Sequence, residues 1–172
     1  MMGRFSALVS LAAVQLTGAV CAAQGFLPGH LLLSARDSVL MLNPATGDVQ
    51  TLITVQPPRL VGDLVFNSVT NSAFILREHG TEIVELNWSE QQGFQVSSFL
   101  SELSDAGGMT VDSSGNLYFG GSTTPQPSLS NAIFKATPSG EVTIFARPDG
   151  PLLVPNSMAF SPDVTERFKT GH

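Results

Sequence analysis

Short apolar runs alternate with polar turns along most of the chain, most regularly between residues 109 and 145. Apolar segments at 109–111, 116–120, 132–136 and 142–145 are separated by turns that contain Gly, Pro, Asp, Ser or Thr. These residues favour reversals between strands, because Asp and Ser bond the backbone and Gly adopts positive φ. The pattern predicts four antiparallel β-strands in this region.

The same order of strands and turns recurs, which indicates an internal repeat. First strands near Leu64, Met109 and Met158 begin units that are 45 and 49 residues apart. A four-stranded propeller blade occupies about 40 to 50 residues. With a partial unit at residues 30–53, the sequence predicts an all-β chain, a partial β-propeller of about three and a half four-stranded antiparallel blades. A β-sandwich is the alternative, but it does not explain the recurring first strand.

The first 23 residues have the pattern of a secretory signal peptide. Arg4 precedes an apolar stretch at 5–20, and small residues at 21–23 follow where signal peptidase would cleave. A membrane anchor is the alternative, but the stretch is short and rich in Ala, Ser and Gly. We therefore expect a secreted domain at residues 24–172, with no membrane association after cleavage. The sequon at Asn87 is a candidate glycosylation site in such a chain.

Charge and cysteine content narrow the partners and the chemistry. The formal net charge is −6, from 8 Lys and Arg against 14 Asp and Glu. Nucleic acid is not an expected partner, because binding it requires cations that neutralise phosphates. Cys21 is the single cysteine, and cleavage would remove it, so neither a disulfide nor a thiol nucleophile is expected in the mature chain.

Two segments resemble the repeats of a known superfamily. Residues 108–119, and the Pro-Asn-Ser-Met-Ala-Phe-Ser-Pro-Asp run at 155–163, are similar to units of the six-bladed gluconolactonase and regucalcin superfamily and of the related NHL-type repeats. The turn at 43–48 resembles secreted fungal six-bladed propellers encoded beside secondary-metabolite enzymes. The resemblance implies a six-bladed propeller, of which this chain would hold a truncated part.

The resemblance also implies a metal site. In lactonase members of the superfamily, a divalent cation in the central channel polarises the lactone carbonyl, and its oxygen ligands suit Ca²⁺ or Mg²⁺. Asn156 stands at the position of a ligand Asn and is therefore a candidate metal ligand; alternatively it is a turn residue after Pro155. The Glu expected in the first blade has no counterpart near residues 30–35, and Ser157 replaces a Gly. These departures argue against lactonase activity in this chain.

Two further acids are candidates for lining a propeller channel. Asp63 and Asp105 come just before predicted first strands, where channel-lining groups would lie. The alternative is that each is a solvated loop acid. Asp112 and Asp163 follow first strands, and we expect their side chains to stabilise turns.

Three functions remain open, and the first is favoured. It is a secreted, non-catalytic or incomplete binding module for a small-molecule ligand. The second is a divalent-metal-dependent lactonase-type hydrolase that is completed by further blades or by association. The third is an auxiliary propeller protein of a fungal secondary-metabolite pathway. A half-propeller would expose the apolar faces of its end blades, so self-association is also expected.

Overall fold

The computed structural model describes residues 25–54, 61–77, 80–123, 132–147 and 157–160. Their regular elements are eleven β-strands, with no α-helix in these ranges. The strands are β1 Leu31–Ala35, β2 Ser38–Leu42, β3 Val49–Thr54, β4 Val61–Asn67, β5 Ser72–Arg77, β6 Glu82–Ser89, β7 Gly93–Leu100, β8 Leu103–Val111, β9 Leu117–Thr123, β10 Ala132–Ala136 and β11 Val142–Ala146.

The strands form three antiparallel sheets in which neighbours along the chain pair with each other. The first sheet has the order β1-β2-β3, the second β4-β5-β6-β7 and the third β8-β9-β10-β11. The first strands of successive sheets lie side by side, β1 against β4 and β4 against β8. The prediction of an all-β chain is confirmed, and the arrangement is consistent with a partial propeller-like fold.

The second sheet lies between the other two, and β5 shows this in its burial. Every residue of β5 is buried, although side chains alternate between the two faces of a strand. Phe74 and Leu76 pack in a cluster with the third sheet. Ala73 and Ile75 pack in a second cluster with Val39 of the first sheet. Both faces of this strand are therefore core, which explains its continuous apolar run from 73 to 76.

Two first strands begin earlier than the sequence predicts. Pairing of β8 with β9 extends back to Leu103, and pairing of β4 with β5 extends back to Val61. Both pairings contain register shifts. Such β-bulges let strand pairing continue past residues that break the alternation of apolar and polar positions. Residues 157–160, predicted to begin a further blade, contain no strand. The predicted signal peptide lies outside the described residues.

A buried amide joins the second sheet to the third. Asn67, at the end of β4, is fully buried, and its Nδ2 donates to the carbonyl oxygen of Gly115 at 3.3 Å. Its Oδ1 accepts the N–H of Val69 at 3.0 Å in the turn that follows. One side chain therefore holds its own turn and fixes it to the turn between β8 and β9.

The two end sheets present apolar side chains outward. Leu31, Leu33 and Val49 on the first sheet and Phe145 on the third are exposed. The predicted self-association would use surfaces of this kind, and it stays a prediction. Within the described ranges, no helix is both long enough and apolar enough to cross a membrane.

Candidate ligand-binding site

Asp63 is placed inside β4, and both of its carboxylate oxygens accept backbone hydrogen bonds. Oδ1 accepts the N–H of Leu64 at 2.9 Å, and Oδ2 accepts the N–H of Met109 at 2.6 Å. Met109 belongs to the third sheet, so this side chain connects two neighbouring first strands. The carboxylate thus accepts from two backbone N–H groups that lie beside the register shifts of the two pairings. Both carboxylate oxygens of Asp63 therefore have a structural role, and its lining of a channel stays a prediction.

Asp105, the other channel-lining candidate, lies on an irregular part of β8. It is exposed, and its φ of 51° is in the left-handed region that Asp tolerates better than most residues. The next residue, Ala106, is approached closely by two glycines of neighbouring segments. A Cβ on Gly80 would collide with the Ala106 backbone, and one on Gly121 would lie 2.7 Å from its Cα. The backbone is therefore closely packed at Ala106, directly beside the exposed Asp105.

The metal site expected from the sequence has one named ligand. Asn156 lies outside the described residues. Across the described ranges, no group of three or more His, Cys, Asp or Glu side chains is arranged to hold a metal ion. Asp63, one of the two channel-lining candidates, already accepts two backbone N–H groups. The metal site therefore stays a prediction.

Two other polar residues singled out from the sequence have defined places. Asn87 is partly buried on β6 opposite Gln95, and its glycosylation stays a prediction.

Asp112 accepts hydrogen bonds from Ser114, Asn116 and Tyr118, so its predicted turn role is confirmed. Partial burial alone would raise the pKa of Asp112, but the hydrogen bonds from Asn116, Ser114 and Tyr118 outweigh it and lower that pKa below its ordinary value.

The structure also contains a cavity that the sequence did not indicate. It has a volume of about 470 Å³ and lies where the first sheet meets β4. That volume falls within the range of small-molecule sites. Its lining residues are Phe26, Leu27, Pro28, Gly29, His30, Leu31, Leu32, Met41, Leu64, Phe66 and Asn71.

One wall of the cavity is a short segment before β1, residues 25–30, which we call the strap. Its Leu27-Pro28-Gly29-His30 portion is a turn in which the N–H of His30 bonds the carbonyl of Leu27 at 3.2 Å. Gly29 has a φ of 79°, and Pro followed by such a Gly is the signature of a type II turn. The local sequence thus sets the direction in which the strap enters β1.

Aromatic contacts place the strap against the second sheet. The ring of Phe26 meets those of Phe66 and Phe94 edge-on, with centroids 5.2 and 5.1 Å apart. Gly25 lies on the indole of Trp88, since a Cβ there would be 2.9 Å from a ring carbon. Edge-to-face packing at these separations is favourable. The strap is therefore held mainly by apolar contacts.

The lining of the cavity is mostly apolar and includes two polar side chains. Aliphatic and aromatic groups form most of its lining, and only His30 and Asn71 offer strong side-chain hydrogen-bonding groups. His30 Nδ1 already lies 3.4 Å from the Pro28 carbonyl oxygen. None of the lining residues is Asp, Glu, Lys or Arg. A charged ligand would lose its hydration there without gaining an ionic partner, so the cavity suits an uncharged, largely apolar molecule.

The cavity residues were missed because each belongs to a different local pattern. Leu31 and Leu32 have the pattern of ordinary strand residues. The sequence signal that bears on the site is the Pro28-Gly29 pair, which marks a turn. That pair does not indicate that the preceding Phe26 would reach the second sheet.

Comparisons with protein families and with curated proteins found no match. The functional assignment therefore rests on the geometry of the site.

Proposed function

We propose that this chain is a secreted, non-catalytic binding module of propeller-like architecture that holds a small molecule in the cavity between the first sheet and β4. The cavity itself is the observation that carries the proposal. Its volume of about 470 Å³ and its apolar lining are those of a small-molecule site. The fold supports it, since strands from two separately paired sheets supply the walls.

The proposed ligand is neutral and mostly apolar, with one hydrogen-bonding group. Transfer of such a molecule from water is driven by burial of its apolar surface against Leu64, Phe66 and their neighbours. The amide of Asn71 and the imidazole of His30 can each pair with a hydroxyl or carbonyl. Orientation would come from these two groups and affinity from the apolar walls.

The test is binding of N-phenylnaphthylamine, an uncharged probe whose fluorescence rises in apolar surroundings. Leu31 lines the cavity and is 51% exposed, so Leu31→Trp can fill the mouth without disturbing the core. Leu33 lies two residues further along β1, is 37% exposed and does not line the cavity, so Leu33→Trp is the matched control. We expect saturable binding that Leu31→Trp weakens about tenfold or more, a loss of about 1.4 kcal/mol.

The control variant should bind the probe as the unaltered chain does. Equal effects of the two substitutions would mean that the probe lies on the exposed face of the first sheet. That outcome, or the absence of saturable binding, would contradict the proposed function.

A further inference from the structure

The strap contributes a disproportionate part of the cavity wall. Five consecutive residues, 26–30, line the cavity, while the remaining wall comes from β1, β2, β4 and the turn after β4. A molecule in the cavity therefore touches the strap on one side and the sheets on the other. Occupancy and the position of the strap are physically linked by this geometry.

The attachments of the strap differ from those of the strands around it. Its described hydrogen bonds are internal, from His30 N–H to the Leu27 carbonyl at 3.2 Å and from His30 Nδ1 to Pro28 O at 3.4 Å. Its described contacts with the second sheet are apolar. Phe26 meets two rings and packs against the buried cluster that contains Ile75, and Gly25 lies on Trp88. Segments held by few apolar contacts open at lower free energy than paired core strands.

We propose that the strap is a ligand-stabilised clasp, anchored by Phe26, that opens to admit the ligand and is held closed once the ligand is bound. The inference rests on the proposed function, since it concerns the same cavity. A ligand that contacts both walls binds the docked strap better than the released strap, so it shifts the population toward docking. By linkage, any change that releases the strap weakens ligand binding by the same factor.

Phe26 is the positioning residue of this clasp. Its ring is seated between Phe66 and Phe94, and it also lines the cavity. Truncating Phe26 to Ala removes both ring contacts and alters only the side chain, so the covalent backbone of the strap is the same. The apparent dissociation constant rises in inverse proportion to the fraction of molecules with the strap docked. A fall in that fraction to about one tenth therefore weakens binding about tenfold.

The chain carries its own reporter of strap docking. Trp88 is the single tryptophan, and Gly25 of the strap lies against its indole ring. Release of the strap uncovers that face of the ring to a collisional quencher such as acrylamide. The suitable ligand probe is n-octanol, which is uncharged, carries one hydroxyl and does not absorb at the excitation wavelength of tryptophan.

The experiment measures n-octanol binding by calorimetry and acrylamide quenching of Trp88, with and without n-octanol, on the mature chain. We expect n-octanol to reduce the quenching constant about twofold, and Phe26→Ala to raise it and to weaken binding about tenfold. Phe26→Leu, which keeps apolar bulk, should lie between, and circular dichroism checks folding of each variant. Phe145→Ala, at an exposed aromatic of the third sheet, should change neither quantity.

The outcomes separate the clasp from the proposed function. If n-octanol binds in the cavity but leaves quenching of Trp88 unchanged, the clasp is wrong and the binding function stands. If Phe26→Ala folds and binds n-octanol with unaltered affinity, the clasp is likewise wrong. If no n-octanol binds and Leu31→Trp has no effect on N-phenylnaphthylamine, the proposed function fails and the clasp fails with it.

Discussion

The Asp63 carboxylate accepts the backbone N–H of Met109 across the boundary between the second and third sheets, at 2.6 Å and 46 residues away in the chain. The other carboxylate oxygen accepts the N–H of Leu64 at 2.9 Å. One acid therefore closes two irregular first strands against each other. Asp63 lies near the start of its repeat unit, where it can connect that unit to the next one.

Replacing Asp63 by Asn should destabilise the fold. The single amide oxygen of Asn accepts poorly from two diverging N–H groups, and its NH₂ would face the N–H of Leu64 or of Met109. A buried donor left unsatisfied costs about 1–3 kcal/mol. Urea unfolding should show a loss of that size. The matched control is Asp105→Asn at an exposed position of β8, where a change within about 0.5 kcal/mol is expected. Equal losses would refute the specific role of Asp63.

Replacing Asn67 by Asp tests the second connection between these sheets. Asn67 is fully buried and donates from Nδ2 to the carbonyl of Gly115. An Asp there has no donor and turns a carboxylate toward a carbonyl oxygen, so we expect a loss of at least about 1–3 kcal/mol. The same substitution at Asn71, an exposed residue of the same turn, should change stability little. Chemical denaturation measures the free energy of unfolding of both variants. Similar losses of stability at the two positions would contradict a specific role for Asn67.

The sequence predicted the strands well and the long-range contacts poorly. The turns and alternation around β9 to β11 are local signals, and the observed strands follow them. Nothing local predicts that Asp63 reaches Met109, because the partner is a backbone N–H whose availability depends on a bulge in β8. The cavity was unpredictable for the same reason: its walls at Phe26, Met41 and Leu64 come together only when separate sheets stack.

Close backbone packing at Ala106 predicts a strong effect at Gly80. Gly80 and Gly140 have nearly the same φ, 87° and 84°, so a Cβ strains both backbones alike. At Gly140 nothing lies within 4 Å of the added Cβ, whereas at Gly80 it collides with the Ala106 backbone. Gly80→Ala should therefore cost about 1–3 kcal/mol more than Gly140→Ala. Thermal and urea unfolding measure the difference, and equal costs would mean that the segment around Ala106 yields freely.

Acid should remove the contribution of Asp112 to stability. Partial burial raises the pKa of Asp112, but hydrogen bonds from Asn116, Ser114 and Tyr118 outweigh it and hold the pKa below its ordinary value. Because the folded-state pKa is lowered, the stabilisation is complete above the unfolded value and declines as pH falls through the folded value. The difference in free energy of unfolding between the unaltered chain and Asp112→Asn should be constant from about pH 7 to 5 and shrink below about pH 4.

A second variant identifies the bonds responsible. Tyr118→Phe removes the hydroxyl that donates to Asp112 Oδ2 at 3.1 Å, so it should move the pKa of Asp112 upward. The acid-dependent loss of stability would then be smaller and would end at higher pH than in the unaltered chain, because the folded-state pKa lies closer to the unfolded value. A stability difference between the unaltered chain and Asp112→Asn that does not change down to about pH 2 would rule out this role for Asp112.

The lining of the cavity predicts discrimination by charge between two probes of similar shape. N-phenylnaphthylamine is neutral, while its anilinonaphthalene sulfonate relative adds one negative charge to the same rings. The lining contains no Lys or Arg, so the sulfonate would lose hydration without an ionic partner. We expect the component of binding that Leu31→Trp removes to be at least about tenfold weaker for the sulfonate, or about 1.4 kcal/mol. Fluorescence titration of both probes against the unaltered chain, Leu31→Trp and Leu33→Trp measures it. Sulfonate that binds to an exposed face elsewhere would be insensitive to Leu31→Trp. Equal affinities of the two probes for the cavity would show that the site accepts anions and that its ligand is not restricted to neutral molecules.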